Sequence, residues 1–243
     1  MKSKIFVGTS GYSYQHWRGI FYPEDLPERE WLEYYAKHFN TVELNVSFYR
    51  LPKKEVFKGW RKRTPKDFIF SVKGSRFITH IKKLKDCEEP LETFFKNALG
   101  LKEKLKVVLW QLPARFKVSP ERLTDFCKIL KKKYSKNIHH AFEFRDESWF
   151  CDEICEILKK YNFGLVIAHS RQWPVKEIIT ADFVYLRFHG GEELYGSEYS
   201  SKELCAWAEK VKKWRPEVVY SYFNNDARGF AVKNAKEFQT LLK

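Results

Sequence analysis

Polar and charged side chains recur at the C-terminal ends of short apolar runs, where they would be buried unless they face a cavity. Glu43 and Asn45 close the run Thr41–Asn45, Lys73 closes Phe68–Lys73, and Gln111 closes Lys106–Gln111. Glu143 and Arg145 close Ala141–Arg145, His169 closes Leu165–His169, and Arg187 with His189 closes Phe183–His189; Asn225 and Asp226 follow the run Val218–Asn224. Side chains alternate along a strand, so Glu43 shares a face with Asn45, Glu143 with Arg145, and Arg187 with His189. These residue types support acid–base chemistry on an anionic ligand. Glu43 or Glu143 would take a proton, and His189 or His80 would give one. Lys73, Arg145 and Arg187 would hold a phosphate or carboxylate, for which the planar guanidinium offers paired donors. Arg76 and His80, just beyond Lys73, would extend the site, and Gln111, Asn225 and Asp226 would orient the ligand. The alternative is an internal ion-pair layer, Glu43 against Lys73 and Glu143 against Arg187. Desolvation commonly cancels the Coulomb gain of such a layer, which makes stability alone a weak reason for it.

Glu43, Glu143, Asp226, His80 and His189 could also ligate a metal. Lys73, Arg145 and Arg187 come from the same strand ends, however, and fixed cations oppose a divalent ion that needs surplus negative charge. There is no H-x-x-x-H or H-E-x-x-H spacing, and no glycine-rich nucleotide motif of the P-loop or dinucleotide type. No metal and no cofactor is expected. Gly8-Thr9-Ser10-Gly11 reads as a tight turn after a first strand rather than a phosphate cradle.

Eight runs rich in β-branched and aromatic residues read as strands, from Ile5–Thr9 at the start to Val218–Asn224 at the end. Between most of them, apolar residues recur at three- and four-residue spacing, as in Trp31, Leu32, Tyr35, Ala36 and Phe39, or Leu123, Phe126, Cys127 and Leu130. Ser119-Pro120 and the pair Ser200/Glu203 mark helix starts, and Gly164 falls just after a helix end at Tyr161-Asn162. Alternating strand–helix units predict a single (β/α)8 barrel over residues 1–243, with a short or missing helix between Ser170 and Asp182. The active site of such a barrel lies at the C-terminal strand ends, where the polar residues collect.

The 243 residues include 45 Lys+Arg against 31 Asp+Glu, a formal net charge of +14, with 44% hydrophobic residues. This excludes a disordered or low-complexity chain. The start offers too short an apolar run for a signal peptide, no run approaches a membrane span, and five cysteines form no C-x-x-C pair. A cytoplasmic protein with reduced thiols and no membrane partner is expected. Arg50 to Lys85 holds 13 basic residues against Glu55 and Asp67. If the helix there packs Val56, Phe57 and Trp60 inward, Lys58, Arg61 and Lys62 face solvent. With Lys82, Lys83 and Lys85 after the third strand they would form a nucleic-acid surface.

Several segments carry a specific resemblance: Gly8-Thr9-Ser10-Gly11-Tyr12-Ser13-Tyr14 with His16-Trp17-Arg18-Gly19, Thr41-Val42-Glu43-Leu44-Asn45 with Ser47-Phe48-Tyr49-Arg50-Leu51-Pro52, Glu143-Phe144-Arg145, Arg187-Phe188-His189-Gly190 and Phe223-Asn224-Asn225-Asp226. In this order they resemble the YecE-like family, a domain of unknown function. The resemblance implies a TIM-type barrel similar to the endonuclease-IV and xylose-isomerase folds, and no settled reaction. His169 stands where many relatives carry Asp, and Asp146 where His often follows the Glu-x-Arg motif. Two functions follow as expectations. One is a metal-independent hydrolase or lyase acting on a phosphate-bearing nucleotide, sugar phosphate or nucleic-acid end. The other is a non-catalytic nucleic-acid binder using the basic surface.

Overall fold

Eight parallel strands form the inner wall of a barrel in the computed structural model, which describes residues 3–243. They are β1 (Lys4–Thr9), β2 (Thr41–Leu44), β3 (Ile69–Lys73), β4 (Leu105–Gln111), β5 (His139–Glu143), β6 (Gly164–His169), β7 (Phe183–Phe188) and β8 (Val218–Phe223). Each expected strand is present, with ends displaced by no more than about a turn residue or two. The helices are α1 (Trp31–His38), α2 (Val46–Tyr49), α3 (Lys54–Lys62), α4 (Glu88–Ala98), α5 (Pro120–Tyr134), α6 (Asp152–Tyr161), α7 (Ser201–Trp214) and α8 (Phe230–Leu241). The segment between β6 and β7 carries no helix.

Period-two alternation sorts the strand residues into two cores. Outward-facing Val42, Phe70, Val108, Trp110, Phe142 and Phe188 join the apolar helix stripes in the larger cluster. Inward-facing Ile69, Val107, Leu109, Ala141, Val166, Tyr185, Tyr220 and Tyr222 fill the barrel. Tyrosine hydroxyls buried there find partners across it: Tyr222 with Thr41 Oγ1 at 2.8 Å and Tyr185 with Ser71 Oγ at 2.7 Å. One more step along each strand toward its C-terminus brings Glu43, Lys73, Gln111, Glu143 and Arg187 into a single layer.

Closure between β1 and β2 combines a parallel bridge between Ser10 and Glu43 with a side chain. Tyr35 of α1 inserts its hydroxyl, which accepts from Thr9 N–H (2.9 Å) and donates to the Thr41 carbonyl (3.1 Å). A Cβ on Gly8 would sit 2.3 Å from that carbonyl, so glycine is required there. Beyond it, Gly11 at φ +96° turns the chain, and its N–H donates to the Glu43 carbonyl at 2.9 Å.

Two local expectations need correction. Val56 is 44% exposed, leaving Phe57 and half-buried Trp60 to anchor α3. The end of α6 falls at Tyr161 as expected, with Asn162 in the left-handed conformation, and Gly164 is needed because the Phe183 ring lies 2.6 Å from where its Cβ would be. Ser119 precedes Pro120 at the start of α5 but makes no side-chain cap, while Ser200 and Glu203 form the full reciprocal box. No described helix is long and apolar enough to cross a membrane.

Candidate functional site

The layer of charges at the C-terminal end of the barrel is organised around Arg187, which is 1% exposed. Its Nε–H and Nη2–H donate to Glu43 Oε2 (3.0 Å) and Oε1 (2.7 Å), a bidentate pair, and Nη1–H donates to Glu143 Oε2 at 2.6 Å. Its remaining contacts are Ser10 Oγ at 3.3 Å and His189 Nε2 at 3.4 Å. A guanidinium has five N–H donors, so Arg187 has none left for a ligand. Arg187 is thus the hub of an ion-pair layer joining β2, β5 and β7, and it also lines the cavity at the barrel mouth.

The two carboxylates differ in occupancy, Glu43 accepting four hydrogen bonds and Glu143 two. Glu43 also accepts from Ser10 Oγ (2.5 Å) and from the Tyr185 hydroxyl (2.6 Å). Glu143 Oε1 accepts Arg145 Nε–H at 2.8 Å. Burial works against the charge of Glu143, but Arg187 and then Arg145 outweigh it and hold the carboxyl well below the usual range. A carboxylate so acidic is a weak proton acceptor at neutral pH, and Glu43 has its lone pairs engaged by Arg187, Ser10 and Tyr185. His189 is wholly buried, with Nδ1 at 3.1 Å from Asn224 Nδ2. Burial, and next the Arg187 charge, push it well below its ordinary value, so it is a neutral ring rather than the expected proton donor.

Lys73 is the cation outside this network. The expected pairing with Glu43 is absent because Arg187 occupies that carboxylate. Among the described residues Lys73 Nζ makes no hydrogen bond and has no carboxylate at ion-pair distance; it lies 4.2 Å from the centre of the Phe48 ring. Burial lowers its affinity for a proton, Arg187 adds to this, and Glu143 and Glu43 oppose it, leaving the amine at about 7. The face of Phe48 favours the ammonium, but that attraction is small beside desolvation. Its backbone is fixed: the Lys73 carbonyl accepts from Ser47 Oγ (2.7 Å), and Gly74 N–H donates to the Leu109 carbonyl (2.8 Å).

Lys73 opens into a mouth cavity of about 520 Å³ lined also by Asn45, Tyr49, His80, Gln111, Arg145 and Asp226. Arg145 lies flat on Trp173, its guanidinium carbon 3.6 Å from the ring centre. His80 accepts or donates at Nδ1 with Thr79 Oγ1 (2.9 Å), and burial with the neighbouring Lys73 takes its pKa down to about 4. Asp226 accepts from Trp17 Nε1–H (2.7 Å) and faces His16 Nε2 at 3.1 Å, yet desolvation pushes it up to about 6. Asn45 Oδ1 is buried without a partner. Clefts of about 540 Å³ between α4 and α5 and about 850 Å³ at the opposite barrel end are larger, but neither gathers buried charge.

Other expected residues lie elsewhere. Asn225 points away from the mouth, donating to the Ser197 carbonyl (3.0 Å) and Asn234 Oδ1 (2.9 Å), and so holds a loop against α8. Arg76 is exposed outside the cavity lining. His169 bonds the Tyr199 hydroxyl (2.9 Å), and Asp146 accepts from Ser148 and pairs with Lys117 at 3.2 Å; both are structural. In the basic stretch, Lys58 lies 3.6 Å from Glu55 and Arg61 donates to Glu103 at 3.0 Å. Lys83 faces the Phe116 ring at 5.7 Å; Lys62 and Lys85 are exposed, and Lys82 is half-buried. Ser10 and Phe48 fall within the resembling segments without an assigned role, and Tyr185 and Trp173 were not singled out, although alternation places Tyr185 on the face of Arg187.

The donor set does not suit a resident metal. No group of three or more His, Cys, Asp or Glu side chains is placed to share an ion among the described residues, and both buried glutamates have their lone pairs directed at arginines.

Comparison with known proteins places the chain. It is 27% identical to the UPF0759 protein YunF of Bacillus subtilis, covering 98% of this chain and 94% of that one. It is also 27% identical to the UPF0759 protein YecE of Escherichia coli, over 86% and 82% respectively. A crystal structure of a DUF72 family protein from Thermotoga maritima superposes with a TM-score of 0.86 at 34% identity, covering 98% and 99% of the two chains. Residues 6–243 match the family described as "Protein of unknown function DUF72", and the chain belongs to that family.

Proposed function

We propose that the barrel mouth binds a small anionic, phosphate-bearing ligand and that the protein is an enzyme acting on it without a metal. The observation that carries this reading is the unpaired Lys73 amine on the cavity floor. Glu43, Arg187, Glu143 and Arg145 balance one another, so among the carboxylates lining the mouth Asp226 alone is left to offset a proton on Lys73, and an oxyanion ligand would supply the close partner that this amine lacks. Arg145, 14% exposed at its side chain, keeps donors free at the cavity wall. Asp226 and Lys73 titrate near neutrality and are the groups suited to proton transfer. This favours a lyase over the hydrolase alternative, since an amine near neutrality is a nucleophile toward carbonyl carbon. The neutralisation of Arg61 and Lys58 by neighbouring acids removes support from a nucleic-acid surface on α3.

Inorganic phosphate is expected to raise the melting temperature, by about 5–10 °C at a hundredfold excess over Kd. Arg145→Ala is expected to lose most of that rise while folding normally. An Arg145→Ala protein that responds to phosphate as the parent does would exclude the mouth as the anion site.

A further inference from the structure

Resting on that reading, the geometry points to Lys73 as a covalent nucleophile that forms an imine with its substrate, which is therefore an aldehyde or ketone carrying an anionic group. The amine is on rigid backbone, at the end of β3, where the Lys73 carbonyl and Gly74 N–H are both tied down. A Cβ at Gly74 would fall 2.3 Å from the Trp110 ring, so the chain cannot readily shift there. Nζ has a ring on one side, the cavity on the other, and no acceptor. A lysine meant to close an ion pair would face a carboxylate, yet Glu43 and Glu143 are both turned to arginines. The charges around it (Arg187 from β7, Glu143 and Arg145 from and beyond β5, Glu43 from β2, His80 after β3) hold it near the pKa at which half the amine is unprotonated at neutral pH. Cationic neighbours and desolvation are the two means by which lysine nucleophiles are activated.

The step balances without an external oxidant or reductant. The Nζ lone pair forms a C–N bond to the carbonyl carbon, and the C=O π pair moves to oxygen, which takes a proton. Nζ loses a proton, the hydroxyl takes a second and leaves as water, and the nitrogen lone pair completes C=N. Asp226, on the same cavity and at about 6, is able both to give and to accept these protons. The substrate hydroxyl two carbons from the iminium then loses its proton and becomes a carbonyl as the intervening C–C bond breaks, and that bond's electron pair passes into the iminium to give an enamine. Protonation of the enamine at carbon restores the iminium, and water adds to it, releasing the second carbonyl product and the Lys73 amine.

The test incubates the intact protein with dihydroxyacetone phosphate and cyanoborohydride, which reduces C=N to a stable amine, and maps the modified lysines by peptide mass spectrometry. At pH 7 an ordinary lysine is unprotonated to only about four parts in ten thousand. Lys73 is therefore expected to be labelled on the order of a hundredfold faster than exposed lysines, saturably, and more slowly when inorganic phosphate competes. Lys73→Arg should lose this fast label alone. Fast labelling of Lys73 that neutral dihydroxyacetone matches and phosphate does not slow would uphold the imine and refute the anion-binding reading. Labelling of Lys73 no faster than that of exposed lysines, with the phosphate stabilisation intact, would overturn the imine and leave the anion reading standing.

Discussion

Arg187→Met is expected to destabilise the protein by about 3–5 kcal/mol at neutral pH, because it leaves two buried carboxylates without their shared cation. Glu43 would keep Ser10 and Tyr185, and Glu143 would keep Arg145, but neither would keep the bidentate or 2.6 Å contact to the hub. Denaturant unfolding reads this directly. The pH dependence fixes its origin. In the parent the Glu143 pKa is depressed on folding, so its contribution is present above the unfolded carboxylate value and fades as pH falls through the folded one. In the variant, burial without the hub raises the Glu143 carboxyl, and acid relieves the defect by protonating it. The gap between the two proteins should thus be widest near neutrality and narrow below about pH 4. A gap that is constant from neutral to acid pH would mean that Arg187 acts through packing alone.

Lys73→Met is expected to act in the opposite direction. A lysine whose proton affinity falls on burial costs stability wherever the unfolded chain holds a proton that the folded one binds weakly. The folded value of about 7 lies below the unfolded value near 10.4, so the parent gains stability as pH rises from about 7 to about 10. Methionine, similar in length and without charge, should stabilise by about 1–3 kcal/mol at pH 7, with the advantage shrinking toward pH 10. It should also lose the imine-forming amine. Stabilisation with loss of chemistry is the signature of a residue retained for function. A Met variant less stable than the parent at pH 7 would show that Lys73 contributes to the fold.

The barrel was legible because its strands are short β-branched and aromatic runs separated by regular helix stripes, and because the polar residues sit at the same end of each run. The layer was legible too, since alternation alone puts Glu43, Lys73, Glu143 and Arg187 inside. What alternation does not encode is the choice of partner within the layer. Arg187 lies between Glu43 and Glu143 only after β2, β5 and β7 come together around the barrel axis, and once it pairs with both, Lys73 has no carboxylate left. Tyr185 reaches Glu43 across a separation of 142 residues. Asn225 was a legible error: Tyr222 faces inward, so period two sends Asn224 to the mouth and Asn225 away from it. Trp173 sits in a segment without periodicity, and nothing in its neighbours announces that it stacks on Arg145.

The unpaired Lys73 amine is the claim on which both the anion site and the imine depend, and its titration tests it most directly. In protein carrying ¹³C at lysine Cε, the Lys73 resonance, assigned by its loss in Lys73→Arg, can be followed against pH. A midpoint near 7 that moves upward when phosphate is added is the predicted result. A midpoint in the ordinary lysine range, about 10.4 and unaffected by phosphate, would contradict the account.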